Sequence, residues 1–340
     1  MTKSKNLLAR WAVAAAMTIC AAAAVPVHAQ EAFGVAGPPA GLWPMVQALP
    51  LSKTHGVGIG AVPAMVLERL DNGQLIAQAD GAAQSGKVRQ VGVARPITLD
   101  SAMGVWADSP DGGRVWMMEI ASPGAVGMRV HFTQVALPEG AELTAYNVVD
   151  SSDIAGPYTG QGGVDRDDVY TPVIFGDRVR IELYMPAGAP VGQLPFDADN
   201  IQHLFRNPLD SLTGGGNTGA GAVGEPDITP TVGNCHNDVT CYPTWANPAK
   251  AVGLYIFSSG GGTGQCTGQL IATTAQDLTP YFITAAHCVN TTTEAASVQV
   301  FWLFQTASCN GTAPIRGDSP TTTGATMIAT RSQSDETLLR

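Results

Sequence analysis

The sequence predicts an all-β protein, an N-terminal β-sandwich followed by a small β-barrel. Apolar residues recur with a period of two in both halves, as in Met128, Val130 and Phe132 against Arg129, His131 and Thr133, which marks strands with one buried face. Glycine and proline, 39 and 23 residues, punctuate these runs at turn-like intervals. Little of the chain reads as a long helix. Only 14% of the residues are charged and the net charge is −10. This suits a turn-rich exported chain and lacks the basic footprint of a nucleic-acid binder. The 340 residues are enough for two domains with their own cores.

Residues 1–29 read as a signal peptide. Lys3, Lys5 and Arg10 open it, Trp11 to Val25 is an alanine-rich apolar run, and Val27-His28-Ala29 supplies a small-residue cleavage site. The apolar run is short for a bilayer span, so no membrane association is expected after cleavage. The expected destination is secreted or extracellular, with periplasmic transit on the way. Residues 30 to about 50 are small and proline-rich, and little order is expected there.

Residues 30–205 form the first predicted domain. Trp116, Met118 and Ile120 alternate with Met117 and Glu119, and Val179, Ile181, Leu183 and Met185 alternate with Arg180, Glu182 and Tyr184. Turns fall at Ser122-Pro123-Gly124, Leu137-Pro138-Glu139-Gly140 and Pro186-Ala187-Gly188. Antiparallel strands with these turns make a β-sandwich. The domain has no cysteine, and His55, His131 and His203 lack metal-ligand spacing. His131 is expected on a solvent face. Residues 206–232, including Leu212 to Gly221, have almost nothing to bury and read as a flexible linker. A maturation cut is expected between about 206 and 234.

Residues 233–340 carry the second domain. Val252, Leu254 and Ile256 mark a strand, Gly260-Gly261-Gly262 a turn, Cys266 to Ile271 and Tyr281 to Thr284 two more strands. Val298, Val300, Trp302 and Phe304 alternate with Gln299, Phe301 and Leu303, a strand apolar on both faces as in a small closed barrel. Cys20 leaves with the signal. The other five cysteines, Cys235, Cys241, Cys266, Cys288 and Cys309, lie in the last third. In an exported chain they read as a disulfide framework with one member left over.

Tyr281-Phe282-Ile283 runs into Thr284-Ala285-Ala286-His287-Cys288. A buried strand thus ends by presenting an imidazole, as a general base requires. This motif resembles the histidine motif of chymotrypsin-fold serine proteases. Gly233-Asn234-Cys235 and Cys266-Thr267-Gly268-Gln269-Leu270 are similar to the secreted bacterial lysyl-endopeptidase branch. The resemblance covers about 233–340. It implies His287 as general base and Asp335, in Asp335-Glu336-Thr337-Leu338-Leu339, as the carboxylate that orients it. Glu336 stands where relatives often have an apolar residue and should point away from the ring. The resemblance also implies disulfides Cys266–Cys288 and Cys241–Cys309, with Cys235 unpaired here, and an N-terminal propeptide domain that packs in cis and assists folding.

The nucleophilic serine of that family follows the aspartate in a Gly-x-Ser-Gly context. Ser319, in Gly317-Asp318-Ser319-Pro320, precedes Asp335 and is followed by proline, so it does not fit. The chain is therefore expected to hold the signal, the prosegment and the first barrel of a double barrel, with the nucleophilic serine outside it. Expected substrates are proteins or peptides. No cofactor is expected. No metal is expected either, since Cys235-His236 and His287-Cys288 lack zinc-site spacing. Cys288 as a nucleophile is disfavoured because a cystine has no thiolate. The rival reading is a secreted β-sandwich binding or adhesive protein with a non-catalytic protease-like barrel.

Overall fold

Two sheets hold the strands of the computed structural model, whose described residues are 48–83, 88–160, 168–209, 237–311 and 319–340. The first eleven strands are β1 (Ala64–Val66), β2 (Arg89–Pro96), β3 (Val105–Asp108), β4 (Arg114–Ala121), β5 (Gly127–Thr133), β6 (Glu142–Asn147), β7 (Ile154–Thr159), β8 (Val169–Tyr170), β9 (Ile174–Phe175), β10 (Arg178–Met185) and β11 (Asp197–Leu204). Seven follow: β12 (Val252–Ser259), β13 (Gly262–Ile271), β14 (Tyr281–Thr284), β15 (Gln299–Trp302), β16 (Thr321–Thr323), β17 (Met327–Arg331) and β18 (Glu336–Leu339). The protein is all-β, as its alternating pattern requires.

One sheet runs β1-β4-β10-β6-β7, with β3 also on β4. Strands β2, β11, β5, β8 and β9 belong to the other. Trp116, Met118, Ile120 and Leu183 of the first sheet pack against Met128, Val130, Phe132 and Ile201 of the second. That is the core of a sandwich. The second face of β4 is buried too: Val115 and Met117 lie under Leu51, Val57 and Tyr184. The short helix α1 (Leu51–Thr54) covers this face, and its Ser52 hydroxyl donates to the buried Glu182 carboxylate at 2.8 Å.

Two expectations for this half need correction. Residues 72–83 are a helix, α2 (Asn72–Ala83), where strands and turns were expected. Asp71 accepts a hydrogen bond from the Gln74 amide at 3.0 Å, as a capping residue does. Gly73 and Gly81 mask the helix in sequence. His131 is not on a solvent face. It is 6% exposed, stacked on Tyr170, and its ring nitrogens face Asp199 (2.6 Å) and Asp168.

The second half attaches to the sandwich by a strand pair. β13 pairs antiparallel with β2, Gly262↔Val93 through Gln265↔Arg89. β13 starts at Gly262, so the turn is shorter and the strand longer than the sequence suggested. Its glycines allow close approach. A Cβ on Gly264 would lie 2.6 Å from Val88 Cγ1, and one on Gly268 would lie 2.3 Å from the Phe282 ring. Val91, Val173 and Leu204 meet Ile256 and Phe301 in a shared apolar cluster. Arg129, fully buried, donates to Thr171 O (2.8 Å) on its own side and to Ser297 O (2.7 Å) across the junction.

Pairing orders the second half β16-β15-β12-β13-β14-β18-β17. The two end strands are consecutive in sequence. Among the described residues no ladder joins them, so the curved sheet is not closed by strand pairing. Tyr255, Phe257, Phe282, Val300 and Leu339 fill its interior. Cys241–Cys309 and Cys266–Cys288 are both disulfides. Cys235, the signal segment, Asp318 and nearly all of the linker lie outside the described residues.

Candidate active site

Strand pairing brings the two predicted site residues together. β14 and β18 are antiparallel, with Phe282↔Leu339, Ile283↔Leu338 and Thr284↔Thr337 in register. Phe282 and Leu339 point into the apolar interior and fix that register. His287 follows β14 and Asp335 precedes β18, so both leave the ladder at the same end. The turn after β14 is tight, with Cys288 N–H donating to Ala285 O at 3.1 Å and Val289 N–H to the same oxygen at 3.2 Å. The Cys266–Cys288 bond then ties the residue after His287 back to β13.

The result is a two-point clamp. The His287 backbone N–H donates to Asp335 Oδ1 at 2.9 Å, and ring Nδ1 meets Asp335 Oδ2 at 2.7 Å. One carboxylate thus holds both the main chain and the ring of the same histidine. With a carboxylate at Nδ1 the proton belongs on that nitrogen. The Nε2 lone pair is then the ring's proton acceptor. The ring is 30% exposed, so it lies within reach of an incoming group. Glu336 is exposed, consistent with a side chain turned from the ring.

Beneath the turn, the Thr284 hydroxyl donates to Thr267 O (3.0 Å) and bonds the Tyr255 hydroxyl (2.7 Å). Burial raises the Tyr255 hydroxyl above the usual phenol range, despite the Thr284 bond, so it stays a neutral partner. Beside His287 opens a cleft of about 580 Å³, lined by the Cys266–Cys288 cystine, Val252, Leu254, Leu303 and Phe304, with Arg89 from β2 at its edge. No local pattern marks Arg89, because only the β2–β13 pairing brings it there.

The remaining candidates fall elsewhere. Ser319 is buried, its hydroxyl has no hydrogen-bond partner among the described residues, and it is not among those lining the cleft. The sulfurs of Cys266 and Cys288 and a nitrogen of His287 lie within 4.8 Å of one another, a spacing a metal could use. Both sulfurs are committed to the disulfide, so neither is a thiolate ligand or a nucleophile.

Comparison with known proteins bears on both halves. Residues 64–205 match the family described as the lysyl endopeptidase N-terminal domain, and residues 230–340 match the lysyl endopeptidase C-terminal domain. A lysyl endopeptidase from Pseudomonas aeruginosa is 26% identical over 361 residues, covering 95% of this chain and 71% of the relative. Among solved structures, a Bacillus thuringiensis Cry1Da tryptic core variant aligns at 11% identity over 34% of this chain and 23% of its own, with a TM-score of 0.15. That last likeness carries no argument. The two domain matches and the full-span relative agree, and the chain belongs to the lysyl-endopeptidase-like proteases.

Proposed function

We propose that this chain is the precursor portion of a secreted serine endopeptidase of the His-Asp-Ser type, with His287 as general base and Asp335 as its orienting carboxylate. The single observation that carries the reading is the pair of hydrogen bonds that the Asp335 carboxylate accepts from the His287 main-chain N–H and ring Nδ1. Such a pair holds the tautomer whose Nε2 takes a proton from a serine hydroxyl, and it stabilises the imidazolium that forms. The serine and the oxyanion donors are proposed to lie beyond these 340 residues. The 340-residue chain is accordingly inactive in this reading. Substrates are proteins or peptides. The relative's name assigns it lysyl bonds, but among the described residues the cleft beside His287 is lined without an acidic side chain that would select one, so the proposal stops at peptide-bond hydrolysis.

The N-terminal sandwich is proposed as a prosegment that packs on the protease barrel in cis. The β2–β13 pairing, the shared cluster around Ile256 and Phe301, and the Arg129–Ser297 bond support this. Residues 1–29 are proposed to direct export, and the linker is proposed to take the maturation cut. Among the described residues no helix is long and apolar enough to cross a membrane.

A fluorophosphonate probe, which reacts covalently with activated serines, tests the reading. The product of the gene read past codon 340 should be labelled. The 340-residue chain should not, and His287→Ala should abolish labelling of the longer protein. Labelling of the short chain would overturn the assignment of the nucleophile. A stop codon at 341 would favour the rival, a binding protein with a silent barrel.

A further inference from the structure

A second bridge joins the same two strands just behind the His287–Asp335 pair. Thr337, two residues after Asp335, is 1% exposed. Its hydroxyl donates to the carbonyl of Val289, two residues after His287, at 2.6 Å. The Thr330 hydroxyl, on β17, completes the set at 2.7 Å from Thr337 Oγ1. The two bridges are parallel in sequence, 335 to 287 and 337 to 289, each spanning 48 residues.

From this geometry we infer that Thr337 is a positioning residue for the His287–Asp335 pair. The inference rests on the proposed function in one respect, that His287 and Asp335 act as a dyad. Strand pairing between β14 and β18 ends at Thr284↔Thr337. Beyond that point the His287 turn has left the ladder, and the Asp335 turn begins with a non-glycine residue at φ +55°. Neither turn is held in the other's frame by strand pairing. The Asp335 carboxylate ties them from the solvent side, where water competes for its oxygens. The Thr337–Val289 bond ties them from the buried side, where a lost partner leaves a carbonyl unsatisfied. The distance from Asp335 to the imidazole is therefore set by both. A hydroxyl-bearing residue suits this position in the register. Its side chain faces inward beside Val289, so an apolar residue would fill the space and leave the Val289 carbonyl without its donor.

The test uses the 340-residue chain, which needs no nucleophile for it. Thr337→Val keeps the shape and removes the hydroxyl, and Thr337→Ser restores it. The readouts are the NMR signal of the His287 Nδ1–H and hydrogen exchange at the His287 amide, which donates to Asp335. In Thr337→Val the ring signal should broaden or vanish. Exchange at the His287 amide should accelerate about fivefold to tenfold, the scale of one lost hydrogen bond, while amides in the centre of β12 stay as in wild type. Thr337→Ser should recover both. If every amide accelerates equally, the role is general stability and the inference fails. It fails also if the His287 signals are unchanged in Thr337→Val. If wild type itself shows no protected Nδ1–H, the dyad reading falls first, which separates the two failures.

Discussion

Asp335 occupies a left-handed backbone conformation, φ +55°, which few residues other than glycine, asparagine and aspartate accept. Two demands therefore meet at one position: a carboxylate for His287 and a side chain that tolerates this turn. Asparagine meets the second demand and not the first, so Asp335→Asn isolates the charge. Its carbonyl can still accept from one donor, but its amide cannot accept from Nδ1–H, and the ring is driven to the other tautomer. We expect Asp335→Asn to fold normally while ¹⁵N NMR shows the His287 proton moved to Nε2. In the longer, active protein the same change should lower kcat by about 10⁴-fold, as a wrong tautomer does. An unchanged tautomer would refute the orienting role. His287 and Asp335 were both legible as residues, because a motif sets their chemistry. The backbone conformation of Asp335 was not, since an Asp-x-Thr-Leu-Leu run says nothing about φ. His131 was misplaced for a related reason. Alternation puts it opposite Val130 on β5, but Asp199 reaches it from β11 and Asp168 from the segment before β8, and Tyr170 covers its ring.

At the scale of elements, the strands were legible wherever apolar residues alternate, and their neighbours were not. β2 reads as an unremarkable run in Arg89-Gln90-Val91-Gly92-Val93. Its place between β11 and β13 comes from long-range pairing that no local pattern encodes. α2 is hidden in the sequence because Ile76 is the only buried apolar side chain among its described residues, too little to draw a helical stripe. The Cys266–Cys288 link makes a separate prediction. It closes a 22-residue separation between β13 and the His287 turn. Cys266→Ala with Cys288→Ala should cost about 3 kcal/mol of unfolding free energy by urea titration. Hydrogen exchange in that variant should quicken most in the turn 285–289. Arg129 gives a second case. Its guanidinium is held below its usual range, to about 10, by burial, with the Tyr170 and Tyr158 rings opposing the shift. Arg129→Ala strands the carbonyls of Thr171 and Ser297 and should cost about 2–4 kcal/mol. A loss under 1 kcal/mol, by the same titration, would mean water replaces the guanidinium.

Across the whole molecule, one twelve-strand sheet passes from the sandwich into the protease-like half. Secondary structure and tryptophan fluorescence should therefore report a single unfolding transition, because neither half can lose the β2–β13 pair alone without exposing the Ile256–Phe301 cluster. A pH dependence follows from the same junction. His203 on β11 pairs with Val93 of β2. Its ring is buried, with Nδ1 at 2.7 Å from the Ser122 hydroxyl and Nε2 at 3.0 Å from Asn72 Oδ1. Burial first, and the Arg95 charge second, push it down from the ordinary 6.5 to about 4, with Asp177 pulling weakly the other way. The folded state therefore binds this proton only at lower pH than the unfolded chain does. In the interval between about 6.5 and 4 the unfolded chain holds more protons, so stability falls as pH falls. The slope from this one group is at most about 1.4 kcal/mol per pH unit and vanishes outside the interval. Other carboxylate and imidazole groups add their own slopes, so the measurement has to be a difference. Urea unfolding of wild type and His203→Gln at pH 7 and pH 5 gives it. The glutamine cannot titrate and can still bond Ser122 and Asn72. Wild type should lose more stability than His203→Gln between the two pH values, by about 1–2 kcal/mol. Equal losses would show that His203 takes its proton as readily in the folded chain as in the unfolded one.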